Sequence, residues 1–171
     1  MASTLTVDTI VGATTAANVK LPAGHIVQVV SVDMSSQVAV SATPAYTNIL
    51  SGSITPKFAG SKILVQAVLP NYSNNTSTNA WSNSIYIRLY EQEGSGSDTA
   101  VAGYDHPGPQ TSMEFAQTIP VLFTSGVKST IQQYTYSIKG RPTVSGDTHY
   151  FGRSADAIEG YSRMVMMEIA Q

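Results

Sequence analysis

Apolar and polar residues alternate with a period of two along most of this chain. From Trp81, one side of the pattern reads Trp81, Asn83, Ile85, Ile87 and Leu89, and the other reads Ser82, Ser84, Tyr86, Arg88 and Tyr90. That alternation predicts a long strand with one face buried. Thr130–Lys139 alternates too, bringing Tyr134, Tyr136 and Ile138 to one face. Near the C-terminus Tyr161, Arg163, Val165, Met167 and Ile169 oppose Ser162, Met164, Met166 and Glu168. Both sets are largely apolar, as in a strand covered on both sides. Further strands are predicted over Ile26–Asp33, Tyr46–Ile54, Lys62–Leu69, Ile119–Thr124 and Thr148–Phe151. Helical spacing is confined to Ser154–Gly160, which has a Ser cap and a closing Gly and spans about two turns at most. Eight or nine short strands, separated by turns rich in Gly, Ser, Asn and Pro, predict an all-β fold: an antiparallel jelly roll or β-sandwich.

The first 24 residues break this rhythm. Leu5, Val7, Ile10 and Val11 drift out of alternation, and a tract of small residues, Gly12–Asn18, follows before Leu21-Pro22-Ala23-Gly24. Only Asp8 and Lys20 are charged there. Such a segment builds no core of its own, yet it is too apolar for a solvated tail. It reads as an extended N-terminal arm (residues 1–24) that orders against its own body or a neighbouring subunit, ahead of a β-sandwich head (residues 25–171). A frayed terminus is the plainer alternative.

Composition narrows the function. Of 171 residues only 12% are charged, for a formal charge of −2, roughly half the ~25% of an ordinary soluble domain. Hydroxyls take their place, with 21 Ser and 18 Thr. The 42% hydrophobic share is enough for a core, so the chain is not a disordered linker. The near-neutral balance argues against nucleic-acid binding, which needs clustered Lys and Arg. The absence of Cys excludes disulfides, thiolate metal sites and thiol catalysis. No apolar run reaches the ~20 residues that span a bilayer, and the N-terminus lacks the marks of a signal peptide. A surface this short of like-charge repulsion resists self-association poorly.

Candidate chemistry is sparse. Asp105-His106 and Asp147-Thr148-His149 have the spacing nearest to metal ligands, but a site needs three or four convergent groups. No Gly-x-Ser-x-Gly elbow is present to raise a nucleophile. Glu91 and Glu93 read as solvated charges at a strand end, not as the paired carboxylates of a glycosidase. Glu93–Asp98 is rich in Gly but lacks a P-loop Lys and a following helix. The sequons at Asn71, Asn74 and Asn75 read as a polar loop in a chain without a secretory leader. No enzymatic activity and no cofactor are expected. Two connections, residues 70–80 and 103–110, carry the Tyr, Asn and Ser of adaptable binding loops. Asn71, Tyr72, Asn74, Asn75, Tyr104 and His106 are therefore candidate receptor contacts, for example to a host surface glycan, against the simpler reading of long connections.

The chain ends carry a resemblance. Leu5-Thr6-Val7-Asp8-Thr9-Ile10, followed by small residues and then Leu21–Gln28, resembles sequences leading into bacteriophage tail-fibre and other virion-surface proteins, of the marine and cyanophage type. Ile54-Thr55-Pro56 with Gly60–Val65, Ile85–Leu89, and the terminal Met164–Ala170 are similar to strands of the same proteins. The resemblance covers both ends and two or three strands, while the loops are unmatched. It implies a trimeric jelly-roll head on a short attachment arm, without catalysis: a short tail fibre or receptor-binding tip of a virion, assembled in the host cytoplasm. Its partners would be copies of itself and other virion proteins of tail or capsid. The arm contacts would come from Leu5, Val7, Ile10 and Val11. Met164 and Met166 would lie at a subunit interface, or else simply fill the core. Two alternatives remain at this point: a capsid decoration (knob) protein, and a free lectin-like carbohydrate-binding protein.

Overall fold

The alternating segments become ten strands in a computed structural model that describes residues 23–41, 44–74, 84–108, 115–144, 147–152 and 162–171. They are β1 (Ile26–Asp33), β2 (Val38–Ser41), β3 (Thr47–Ile54), β4 (Lys62–Asn74), β5 (Ile85–Glu93), β6 (Thr99–His106), β7 (Phe115–Thr124), β8 (Tyr134–Pro142), β9 (Thr148–Phe151) and β10 (Arg163–Ile169). All their pairings are antiparallel.

Two sheets form. In the first, β1 pairs with β10, β10 with the first half of β4, and β7 with the other edge of β4; the short β9–β2 pair joins the far end of β4. The second sheet runs β3-β8-β5-β6. Apart from the β5–β6 hairpin, chain neighbours thus sit in opposite sheets or beside distant partners, with the order 1-10-4-7 facing 3-8-5-6. That is the double Greek key of a jelly roll.

The core lies between the sheets. Ile63, Val65, Ala67 and Leu69 of β4, Met164 and Met166 of β10, and Ile119 and Val121 of β7 face Ile85, Ile87 and Leu89 of β5 and Tyr134, Tyr136 and Ile138 of β8. The sets of β5, β8 and β10 are among the period-two sets read from the sequence. Gly52 of β3 marks a close approach of the layers: a Cβ there would stand 2.7 Å from Val32 Cγ2 and under 3 Å from the terminal methyls of Met166 and Met164. Gly52→Val should therefore lower stability by about 1–3 kcal/mol through overpacking, measured as a lower urea midpoint with an unchanged m-value.

Several sequence expectations need correction. Pro70–Asn74 is not loop but the end of β4, and Gly103–His106 is not loop but the end of β6. In both, the apolar alternation fades into polar residues while the backbone ladder continues. β2 was not visible in the pattern, because four residues with a single fully buried side chain (Val40) carry too little periodicity. Met164 and Met166 are completely buried in the chain's own core. Their side chains are therefore not available to a neighbouring subunit, and the outward positions of β10 are Arg163, Val165, Met167 and Ile169. Leu5, Val7, Ile10, Val11, Asn75, Trp81 and the helix expected at 154–160 lie outside the described residues.

Candidate functional site

The described candidate receptor residues fall in different settings. Asn71 and Tyr72 are buried on β4, and the backbone of Asn74 pairs with that of Thr148. Asn71 Nδ2 lies 3.1 Å from His149 Nδ1 in the interior. Burial pushes the His149 imidazole down to about 4, with the Ser84 backbone opposing it weakly, so this ring is neutral at physiological pH. Its Nε2 and the Asn71 Oδ1 have no partner among the described protein groups. Tyr104 reaches across the sandwich edge and donates its hydroxyl to the Leu122 carbonyl at 2.5 Å. His106 lines a small cleft of about 220 Å³ with Ser84, Ile85, Tyr86, Asp105, Pro107 and Thr143. Burial lowers its pKa, and the nearby Asp105 acts the other way. Asp105 itself turns out to Arg88 at 3.1 Å. Among the described residues no three His, Asp or Glu stand close enough to hold a metal ion.

What the structure does build is a pair of contrasting outer sheet faces. On the first sheet, cross-strand rows run outward through Val29, Met167, Leu64 and Thr124, then Ser31, Val165, Gln66 and Leu122, then Asp33, Arg163, Val68 and Pro120. The outer face of a sandwich is ordinarily polar. Here Val29, Val68 and Leu122 are each more than half exposed, spread from β1 to β7 with Leu64, Val165, Met167 and Pro120 among them and with Ser31, Gln66, Asp33 and Arg163 interrupting the apolar rows. The ion pair of this face is Arg163 with Asp33, made through two hydrogen bonds, the longer at 3.0 Å; that contact holds the Asp33 carboxyl below its usual range. Lys62 stands at the end of the face, opposite Ile169.

The outer face of the second sheet is cationic and aromatic. Tyr86 sits opposite Arg141 and Asp105, and Arg88 opposite Lys139 and Gly103. The guanidinium carbon of Arg141 stands 5.3 Å from the ring centres of both Tyr46 and Tyr86, and that of Arg88 stands 6.0 and 5.6 Å from the same rings. Lys139 lies 4.5 Å over Tyr90 and pairs with Asp98 at 2.5 Å. Gly103 leaves room for the Arg88 guanidinium, since a Cβ there would come within 2.6 Å of an Arg88 nitrogen and push that side chain aside. The set Tyr86, Arg88, Tyr90 was readable in the sequence as one face of β5. Its alignment with Lys139 and Arg141 depends on a strand register that no local pattern contains.

One buried carboxylate was missed altogether. Glu168, fully buried on β10, accepts hydrogen bonds from the backbone N–H groups of Lys57 and Phe58 at 2.8–3.0 Å, from Ser61 Oγ at 2.7 Å and from Gln28 Nε2 at 2.8 Å. It clamps the crossing from β3 to β4 against β1 and β10. A cluster at the same mouth joins Glu91 to Lys128 at 2.5 Å and to the Tyr136 hydroxyl at 2.7 Å. Burial pushes the Tyr136 phenol well above its ordinary value.

Fold and surfaces together define a jelly-roll sandwich whose distinguishing chemistry lies on its outer faces. The chain matches no protein-family model and none of the curated proteins. Among solved structures it is similar to a chain of the infectious bursal disease virus Gx strain, with 8% identity and a TM-score of 0.40 over 86% of this chain and 41% of that one. It is likewise similar to a chain of the T13 viral particle of that virus, with 8% identity and a TM-score of 0.41 over 83% of this chain and 37% of that one. For the VP2 subviral particle of infectious bursal disease virus the values are 9%, 0.36, 83% and 39%. The chain spans about two fifths of the length of these proteins, and a likeness so distant transfers no residue role.

Proposed function

We propose that this chain is a non-enzymatic structural protein of a virion that works as a homo-oligomer, a trimer, and serves as a short tail fibre or receptor-binding tip attached through its N-terminal arm. The observation that carries the assembly is the outer face of the first sheet, where Val29, Val68 and Leu122 are each more than half exposed. Large apolar side chains exposed together on one sheet face mark an interaction surface. We assign its occupant as another copy of this chain, because Arg163 and Asp33 already neutralise each other on it, so copies around a threefold axis can pack one part of this face against another part of the next without burying an unpaired charge. The low overall charge supports the same reading. The resemblance of both chain ends to phage virion-surface sequences supplies the setting. Gly24 N donates to Ala170 O and Ala170 N donates to His25 O, so the described chain begins at the β1–β10 edge, beside this face.

The test is sedimentation of the full chain. The wild type is expected to run as a trimer at micromolar concentration, and Val68→Lys with Leu122→Lys as a folded monomer. A monomeric wild type rejects the assembly. Removing residues 1–22 should leave the head folded and prevent its incorporation into particles; incorporation of the truncated chain rejects the arm's role.

A further inference from the structure

We infer that the outer face of the β3-β8-β5-β6 sheet is a binding surface for a carboxylated sugar, with Arg141 receiving the carboxylate between the rings of Tyr46 and Tyr86. The inference deepens the receptor-binding reading above and moves the contact from the loops to a sheet face. It begins with an imbalance among the cations. On this face Arg88 has Asp105 and Lys139 has Asp98. Arg141 has neither a carboxylate nor a hydrogen-bond acceptor among the described residues, and its Nε is shielded from solvent without a partner. A half-buried guanidinium ordinarily finds an acceptor, because its donors are costly to desolvate unpaired.

The surroundings say what kind of acceptor fits. The Arg141 guanidinium is 5.3 Å from the centres of both rings, which holds it in place and leaves a planar fork matched to a carboxylate. Tyrosine rings offer an apolar surface and a hydroxyl together, as a sugar ring with one C–H face and several hydroxyls requires. Next along the face, the Ser51 hydroxyl donates to Asn48 Oδ1 and pairs with the Ser137 hydroxyl, both at 2.9 Å, and Ser53 and Thr135 hydrogen-bond at 2.8 Å, continuing the polar surface for further sugar units. The cleft of about 220 Å³ that Tyr86 and Asp105 share with His106 adjoins the same row. It is smaller than a drug-sized pocket of ~300 Å³ or more and suits a single ring. A nucleic acid fits less well. Three cations offset by Asp98 and Asp105 leave one net positive charge, whereas a strand presents a phosphate about every 3.4 Å.

The experiment titrates the full-length protein, by NMR or calorimetry, with cellobiouronic acid, its methyl ester and neutral cellobiose, and separately with oligothymidylate. The acid should saturate the wild type, with the ester and cellobiose at least about tenfold weaker, because only the acid offers an ionised acceptor. Arg141→Gln should lose about tenfold or more, and Arg141→Lys should fall between. Lys57→Gln, at the opposite end of β3, should bind as the wild type does. Equal binding of acid and ester overturns the proposal, as does the absence of saturable binding by the acid, or unchanged affinity in folded Arg141→Gln. Oligothymidylate binding that exceeds the acid and disappears in the Arg141 variants replaces it with a nucleic-acid surface. Sedimentation of the same samples reports the trimer separately, so failure of sugar binding and failure of assembly are told apart.

Discussion

Glu168→Ala should destabilise the protein by about 4 kcal/mol, a large part of the ~5–15 kcal/mol that holds a typical domain folded. The cost follows from what the carboxylate leaves behind. The N–H groups of Lys57 and Phe58, the Ser61 hydroxyl and the Gln28 amide all donate to it, and Glu168 and Ser61 are both buried. Each buried donor left unsatisfied costs roughly 1–3 kcal/mol. Gln28 also donates to the Thr55 carbonyl at 2.6 Å, so loss of the carboxylate loosens the crossing between the sheets as well as the end of β10. Glu168→Gln keeps the shape but turns one acceptor oxygen into a donor facing N–H groups, and should cost about half as much. Thermal unfolding reads the difference directly. At ~2–4 °C per kcal/mol for a domain of this size, Glu168→Ala should melt roughly 8–16 °C below the wild type. A shift of only a degree or two would mean that the carboxylate is not the clamp described.

The second large effect is expected from acid. His149 titrates near 6.5 when unfolded, and burial pushes it down to about 4 in the fold. Between those values the unfolded chain binds the extra proton, so stability is full above about pH 6.5 and falls as the pH drops toward 4. From pH 7 to pH 5 the loss should be about 2 kcal/mol, and by pH 4 roughly 3 kcal/mol. Asp33 and Glu93, whose carboxyls are held low by Arg163 and by Tyr134 with its neighbours, lose their contributions only as the pH falls through the ordinary carboxylate range and below it, so the upper part of the window belongs to the histidines: chiefly His149, with a smaller share from His106, whose pKa burial also lowers. Urea unfolding at pH 7, 6 and 5 checks this. His149→Leu should flatten the pH dependence over that range even if it lowers stability throughout; an unchanged slope would remove His149 as the cause.

The two effects come from residues of the same kind, polar groups on the inner face of a strand, and both were hard to read in advance. Ile85, Ile87, Leu89, Tyr134, Tyr136 and Ile138 announce their burial by repeating every second residue. Glu168 occupies the same alternating position after Met164 and Met166, yet a carboxylate there gives no sign of whether it is capped or solvated. Only the return of the 55–61 segment to that point brings the N–H groups that make its burial tolerable. Asn71 and His149 follow the same logic: a polar loop by composition, a buried pair once β9 lies along the end of β4. For the same reason Asn71 and Tyr72 read as loop, and the outer Tyr–Arg face was half legible, because Tyr86, Arg88 and Tyr90 alternate on β5 while Tyr46 precedes β3 and Arg141 comes from β8.

The sequence by itself determined the all-β class, most of the strand positions and the inward residues of β5 and β8, since side-chain alternation is a property of the backbone that any half-buried strand must respect. Its low charge also pointed to association before any surface was known. The tertiary structure decided which strands became neighbours, and therefore where Glu168 finds its donors, where the apolar rows of β1, β10, β4 and β7 line up, and where Arg141 meets two tyrosines. Those outcomes rest on register between segments far apart in the chain. Register is set by the packing of the whole sandwich and leaves little trace in the local pattern.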